Sequence, residues 1–204
     1  MIMSFFICKG RVRVAMIFFF IGMGICLFCG ELSAAVLKIL PYEKLFFSCN
    51  IAPFFEEVFK ALPILVFVFL FKPKRQTLYE CSVMVGIGFA VLENAFILGS
   101  SSGSVSITDA LMRGFGAGIM HGLCTLAVGY GMSFVYIKRK LFRTGTVAML
   151  AGATVYHAIY NTIVQSTHLW LGVLLPVATL IPVLIIMHKT NKNRQMRKSK
   201  GHLH

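Results

Sequence analysis

Ile51-Ala-Pro-Phe-Phe-Glu-Glu-Val-Phe-Lys60 runs directly into Ala61-Leu-Pro-Ile-Leu-Val-Phe-Val-Phe-Leu-Phe71, and the whole stretch is apolar apart from two adjacent carboxylates and a lysine. A run of about 20 apolar residues is long enough to cross a bilayer as a helix. An ionised side chain at the bilayer centre costs roughly 2.5–3.5 kcal/mol on insertion scales. Stability therefore gives no reason to keep Glu56, Glu57 and Lys60 there, and the stretch predicts a membrane helix with a functional site near its start.

The rest of the chain has the same membrane character. Of its 204 residues, 57% are hydrophobic and only 13% are charged, with a mean hydropathy of +0.80, whereas about a quarter of the residues of a soluble domain are charged. The apolar runs predict six transmembrane helices, at 14–30, 47–71, 79–99, 108–136, 145–165 and 168–188. We expect an all-α polytopic membrane helix bundle: a single domain at 1–188, followed by a basic cytoplasmic tail at 189–204.

The formal net charge of +13 is distributed unevenly along the chain. Basic residues precede the first run and recur at 72–75, at 138–143 and in the tail, whereas the loops 100–107 and 166–167 have none. This alternation fits the positive-inside rule with both termini cytoplasmic. It indicates a lipid bilayer as the partner and argues against nucleic acid, because the basic residues are scattered over short loops without an aromatic platform. The first run also fits a signal peptide, but its removal would leave an odd number of helices.

Polar residues inside the predicted spans are the strongest functional signal, because intramembrane ionisable groups normally face a partner or a watery cavity. Lys60 lies three and four residues after the two glutamates, and Asn161 lies four after His157, so each set shares a helix face. At ~1.5 Å per residue, Glu56 and Glu57 come out ~14 Å below the outer boundary, His157 ~12 Å and Glu93 ~9 Å. Asn161 comes out at ~6 Å and His121 at ~18 Å on the same scale. We expect one site in the outer half of the bilayer.

Glycines near these polar residues predict close helix packing, because small residues let helix backbones approach. Gly86 and Gly88 precede Glu93, and a second set recurs every four residues on the segment that carries His121: Gly114, Gly118 and Gly122.

The chemistry of the predicted site suits hydrolysis. One carboxylate can take a proton from water and pass it to a leaving amine, while histidine and asparagine donors stabilise an oxyanion. The chain contains no Gly-x-Ser-x-Gly and no His-Glu-x-x-His, which disfavours serine and conventional zincin mechanisms. The alternative is a proton- or ion-coupled transporter, since transporters also keep paired acids and histidines at mid-depth. A scaffold that binds a partner helix without cutting it is a third interpretation.

Three short motifs occur in order along the chain. Glu56-Glu-Val-Phe-Lys60 matches Glu-Glu-x-x-Lys/Arg, Phe89-Ala-Val-Leu-Glu93-Asn94 matches Phe-x-x-x-Glu-Asn, and His157-Ala-Ile-Tyr-Asn161 matches His-x-x-x-Asn. With Arg113 and His121 between them, the set resembles the PrsW family of intramembrane proteases. That family belongs to the wider group that contains CAAX prenyl endopeptidases and bacteriocin-processing enzymes. The resemblance covers about residues 50–165.

The resemblance implies roles for individual residues. Glu56 would be the water-activating base with Glu57 beside it, and His157 with Asn161 would hold the carbonyl oxygen. The CAAX endopeptidases have a histidine where this chain has Glu93, so a histidine would come from elsewhere. The residues expected in catalysis are Glu56, Glu57, Glu93, His121, His157 and Asn161, supported by Lys60, Asn94 and Arg113.

The cofactor stays open between two alternatives. The first is metal-independent glutamate catalysis, which requires no cofactor. The second is a divalent metal such as zinc, which three carboxylates and two histidines could bind. Its expected ligands would come from Glu56, Glu57, Glu93, His121 and His157.

The resemblance also implies a substrate and a location. PrsW-type enzymes cleave a membrane-anchored anti-sigma factor at its extracytoplasmic side, which begins a regulated proteolytic cascade. We therefore expect a multi-pass protease of the bacterial cell (inner) membrane that acts on a membrane-anchored protein.

Overall fold

The computed structural model describes residues 10–100, 106–166 and 170–201. The all-α prediction is confirmed, since these residues form helices and turns and contain no strand. Parts of the predicted domain, loop, last span and tail lie outside the described residues, at 1–9, 101–105, 167–169 and 202–204. The helices are α1 (Arg11–Ile39), α2 (Lys44–Phe46), α3 (Ala52–Phe71), α4 (Arg75–Gly99), α5 (Ile107–Met132), α6 (Arg139–Val164) and α7 (Leu171–Gly201).

Two of the connections between these helices contain a short helical turn that is not α-helical. A π-helical turn at Phe47–Ile51 joins α2 to α3, and a 3-10 turn at Ser133–Tyr136 follows α5. Helix α1 extends beyond the predicted span 14–30 and ends where Leu40 is extended, with φ −110° and ψ 132°. That ending has a local cause, because Pro41 disfavours helical geometry at the residue before it.

Within the described parts of the chain, four segments are long and apolar enough to cross a membrane: Arg11–Ile39, Arg75–Gly99, Ala110–Val135 and Arg139–Val164. Helix α3 has 20 residues, about 30 Å at 1.5 Å per residue, which also matches the thickness of a bilayer core. It contains the three charged side chains of the opening stretch. The apolar part of α7 is shorter, at Leu171–Ile186. The chain is thus a helical membrane bundle, and the count of six spans with cytoplasmic termini stays a prediction.

Helices α4 and α5 form the centre of the bundle. Helix α4 packs mainly against α1 and α5, and α5 also packs against α6 and α7. Their fully buried side chains include Leu78, Val85 and Met120. Helix α3 contacts α1, α4, α5 and α6, so its polar side chains can reach three other helices that carry polar groups.

The glycine prediction is confirmed on α4 and wrong for part of α5. A β-carbon at Gly86 would collide with the backbone carbonyl of His121, and one at Gly88 with that of Phe19. A β-carbon at Gly114 or Gly118 would meet nothing within 4 Å. The close approach that brings His121 towards α4 therefore depends on Gly86, and the four-residue glycine repeat on α5 does not provide it.

Replacement of Gly86 by valine should destabilise the protein by about 1–3 kcal/mol, because the added atoms would push α4 and α5 apart. The matched control is Gly114→Ala, where open space and the better helix propensity of alanine predict no loss of stability. Unfolding in detergent would measure both variants. Equal stability of Gly86→Val and the wild type would contradict the predicted helix contact.

Candidate active site

Polar side chains from four helices meet in one cluster. Glu56, Glu57 and Lys60 come from α3, and the other members are Glu93 of α4, His121 of α5 and His157 of α6. Lys60, His121 and His157 are fully buried, and Glu57 is 1% exposed. The sequence analysis expected these six residues in one site, and the structure places them together.

Lys60 is the central cation of the cluster. Its Nζ donates to Glu57 Oε1 at 2.5 Å and to His121 Nδ1 at 2.8 Å. It also lies 4.4 Å from the centroid of the Phe89 ring, a distance typical of a cation–π contact. Phe89 belongs to the second motif, four residues before Glu93, but no sequence pattern indicated that its ring lies against the lysine. The buried ammonium is thus satisfied from three sides.

The lysine determines which nitrogen of His121 bears the proton. An ammonium group can only donate, so Nδ1 of His121 must accept, and the ring proton is on Nε2. That Nε2 lies 3.0 Å from Glu93 Oε2 and donates to it. One turn further along the same helix, Thr125 Oγ1 donates to the backbone carbonyl of His121 at 2.7 Å. His121 and Glu93 are therefore held as a hydrogen-bonded pair.

His157 is oriented by the second glutamate of the first motif. Its Nδ1 donates to Glu57 Oε1 at 2.9 Å, which leaves Nε2 unprotonated when the ring is neutral. Nε2 lies 3.7 Å from Glu56 Oε2, and neither atom has a hydrogen-bond partner among the described residues. The separation is too long for a hydrogen bond between them, but one water or one ion could contact both atoms. Glu56 Oε2 and His157 Nε2 are therefore two neighbouring buried polar atoms without a partner among the described residues.

The sequence of nearly the whole chain identifies the family. Residues 10–187 match the family described as PrsW family intramembrane metalloprotease. The chain belongs to the PrsW family. No match was found among curated proteins or solved structures. The protein is therefore a membrane protease, and the family match favours hydrolysis over the transporter alternative.

The cluster fits the metal that the description of the PrsW family implies. Glu56, His121 and His157 offer ligand atoms that all lie within 4.8 Å of one another. Oxygen and imidazole nitrogen are the ligands of catalytic zinc sites. Glu57 behind His157 also matches the carboxylate–histidine arrangement common around bound metals. The unpartnered atoms of Glu56 and His157 are thus suited to an ion.

His121 and the other two glutamates are less free to bind a metal. Both ring nitrogens of His121 already have partners, Lys60 and Glu93, so it would have to release one of them. Glu57 Oε1 already accepts from Lys60 and His157, and only its Oε2 has no partner among the described residues. Glu93 Oε2 accepts from His121. The five ligands expected from the sequence thus differ in availability, and Glu56 and His157 each keep an atom without a hydrogen-bond partner at 3.7 Å from the other.

The remaining expected residues lie around the cluster in different environments. Asn161 Nδ2 donates to the backbone carbonyl of Ser48 at 3.0 Å, which joins α6 to the turn before α3. Asn94 is buried with its Oδ1 unpartnered, and Arg113 has a buried Nε without a partner among the described residues. The roles of these three residues stay predictions.

Proposed function

We propose that this PrsW-family protein hydrolyses a peptide bond of a membrane-anchored protein, with Glu56 as the base that activates water. The supporting observation is the pair of unpartnered atoms, Glu56 Oε2 and His157 Nε2, that face each other at 3.7 Å. Both atoms are acceptors when Glu56 is ionised and His157 is neutral. A water between them would donate its hydrogens to both, and its oxygen lone pair would be available for attack.

The reaction assigns a separate task to each residue. Glu56 takes a proton from water as the oxygen bonds to the peptide carbonyl carbon, and that proton passes to the leaving nitrogen as the C–N bond breaks. Glu57 holds His157 through Nδ1, so Nε2 keeps facing Glu56. Lys60 fixes Glu57 and His121 at once. Buried, preorganised groups of this kind need no rearrangement when the transition state forms.

A bound divalent cation is the second form of the same proposal. Glu56 and His157 would hold it, with His121 as the third ligand once it releases a partner. Such an ion would polarise the peptide carbonyl and make its bound water more acidic. Glu56 and His157 serve both forms, and His121 would exchange one of its two hydrogen bonds for the ion.

The substrate and the side of cleavage follow from the resemblance and the topology. The PrsW resemblance implies a membrane-anchored anti-sigma factor, cut near its extracytoplasmic side in the bacterial inner membrane. The positive-inside pattern supports the side, because it places the start of α3 towards the outer surface. The buried position of the cluster supports a substrate that enters from the bilayer.

The test is cleavage in proteoliposomes that contain the purified protein and single-pass membrane proteins of the host, in water enriched in oxygen-18. We expect new termini in the outer half of the substrate span, with oxygen-18 in the new carboxyl group. Mass spectrometry of the fragments reads both. Cuts confined to the cytoplasmic side would contradict the proposed topology, and intact substrates would contradict the activity.

Zinc binding tests the metal form separately from activity. Glu57→Gln should weaken zinc binding by about 10- to 100-fold, because glutamine holds the His157 ring less firmly than a carboxylate does. Competition with a fluorescent chelator measures the affinity of the metal-free protein. The matched control is Glu80→Gln, at a partly exposed glutamate near Arg11 and outside the cluster. If the wild type binds no zinc, the metal-independent form stands; if Glu57→Gln binds zinc normally, the assigned role of Glu57 is wrong.

A further inference from the structure

The turn before α3 leaves one backbone carbonyl without its usual partner. In the π-helical turn Phe47–Ile51, the N–H of Ala52 donates to the carbonyl of Phe47, five residues earlier. In the same register the carbonyl of Ser48 would accept from residue 53, but that residue is Pro53, which has no N–H. Ser48 is partly buried, and a carbonyl shielded from water without a partner is costly, so an outside donor is expected here.

Helix α6 supplies that donor. Asn161 Nδ2 donates to the Ser48 carbonyl at 3.0 Å. One turn further on, Gln165 Nε2 donates to Cys49 Sγ at 3.1 Å and lies 3.3 Å from Ser48 Oγ. The asparagine thus occupies the place of the N–H that proline lacks, and α6 is hydrogen-bonded to the turn.

The same face of α6 also orients the catalytic cluster. His157 lies one turn from Asn161 and bonds to Glu57. Helix α6 therefore makes two contacts here: one to the turn before α3, at the Ser48 carbonyl, and one to α3 itself, at the Glu57 carboxylate. The first contact therefore joins the same two segments that carry Glu56 and His157.

We propose that Asn161 is a positioning residue that replaces the missing Pro53 N–H, and that it sets the approach of Glu56 to His157. This proposal rests on the proposed function and departs from the role implied by the resemblance, in which Asn161 holds the carbonyl oxygen of the substrate. The observation behind it is that the asparagine amide is already donated to Ser48, in the register that proline leaves open.

A double-mutant cycle between Pro53 and Asn161 tests the proposal. Asn161→Ala should raise the unfolding equilibrium constant by about 5- to 150-fold, because it leaves the Ser48 carbonyl unsatisfied. It should lower kcat by about 10- to 100-fold with KM unchanged, because the reacting groups are displaced. Pro53→Ala restores an N–H at residue 53, so the double variant should recover stability and kcat together. Asn161→Asp, which keeps the shape but loses the donor, should behave like Asn161→Ala.

The outcomes separate this proposal from the proposed function. If Asn161→Ala lowers kcat without loss of stability and Pro53→Ala gives no recovery, Asn161 acts on the substrate and the proposal is wrong. If the wild type cuts nothing, the stability cycle still tests the hydrogen bond to Ser48 by itself. If Asn161→Ala does not accumulate, accumulation of the double variant supports the proposal, and its failure to accumulate overturns it.

Discussion

Replacement of Glu56 by glutamine should lower the rate of substrate cleavage by about 10²–10⁴-fold, the usual contribution of a general base. Glutamine keeps the size and the hydrogen-bonding ability of glutamate, so the fold and the position of His157 should be retained. The amide cannot take a proton from water at neutral pH. The loss should therefore appear in kcat, as measured by single-turnover cleavage of a substrate reconstituted with the protein in liposomes.

Glu80→Gln is the matched control for this prediction. Glu80 is a partly exposed glutamate whose carboxylate lies 3.8 Å from Arg11, and solvent-accessible ion pairs contribute about 0–1 kcal/mol to stability. Its substitution removes the same charge without touching the cluster. Unchanged cleavage by Glu56→Gln would mean that another group activates the water.

Replacement of Lys60 by methionine should destabilise the protein by about 3–5 kcal/mol, the usual cost of removing one partner from a buried ion pair. The change leaves Glu57 as an uncompensated charge and removes the donor that fixes His121. Unfolding in detergent or in bilayers measures the loss. Zinc affinity and cleavage should fall as well, because Glu57 no longer has a fixed position behind His157.

The double variant Lys60→Met, Glu57→Gln tests whether the loss of stability comes from the unpaired charge on Glu57. It removes both charges, and the carbonyl oxygen of glutamine can still accept from His157 Nδ1. Part of the lost stability should return, with a coupling free energy that a double-mutant cycle measures. Additive losses in the cycle would contradict a direct interaction between Lys60 and Glu57.

The membership of the cluster could be predicted from the sequence for a physical reason. Ionisable groups in a membrane must find partners or water, so a chain with few of them brings them together. Spacing within one helix then identified which groups share a face, such as Glu57 with Lys60. The similar depths expected for Glu56 and His157 further predicted that α3 and α6 would meet at their polar side chains.

The pairing between helices could not be predicted in the same way. Spacing along one helix does not tell which neighbour faces it, so the contacts of Lys60 with His121 and with the Phe89 ring came only from the structure. Asn161 shows the limit most clearly. It shares a helix face with His157, but one turn of helix is about 5.4 Å, enough to take its amide from the cluster to the turn at Ser48.

The helices themselves were also predicted only in part, in their centres and not at their ends. Hydropathy marked the apolar centres of the helices but could not place their ends, because polar residues at a membrane surface continue a helix without changing its hydrogen bonds. Helix α1 therefore extends to Ile39 and stops before Pro41, and α7 continues from its apolar part to Gly201. The sequence indicated the π-helical turn only indirectly, through Pro53, which lies five residues after Ser48.

The most direct test of the central claim is a simultaneous measurement of peptide cleavage and proton flux in liposomes that contain the wild type or Glu56→Gln. A pool of single-pass membrane proteins serves as substrate, and an enclosed pH-sensitive dye reports the flux. We expect new peptide termini with the wild type, their loss with Glu56→Gln, and no flux from either protein. Intact substrates together with a pH-dependent flux that disappears in Glu56→Gln would contradict it, and would assign the buried carboxylates and histidines to a transport path.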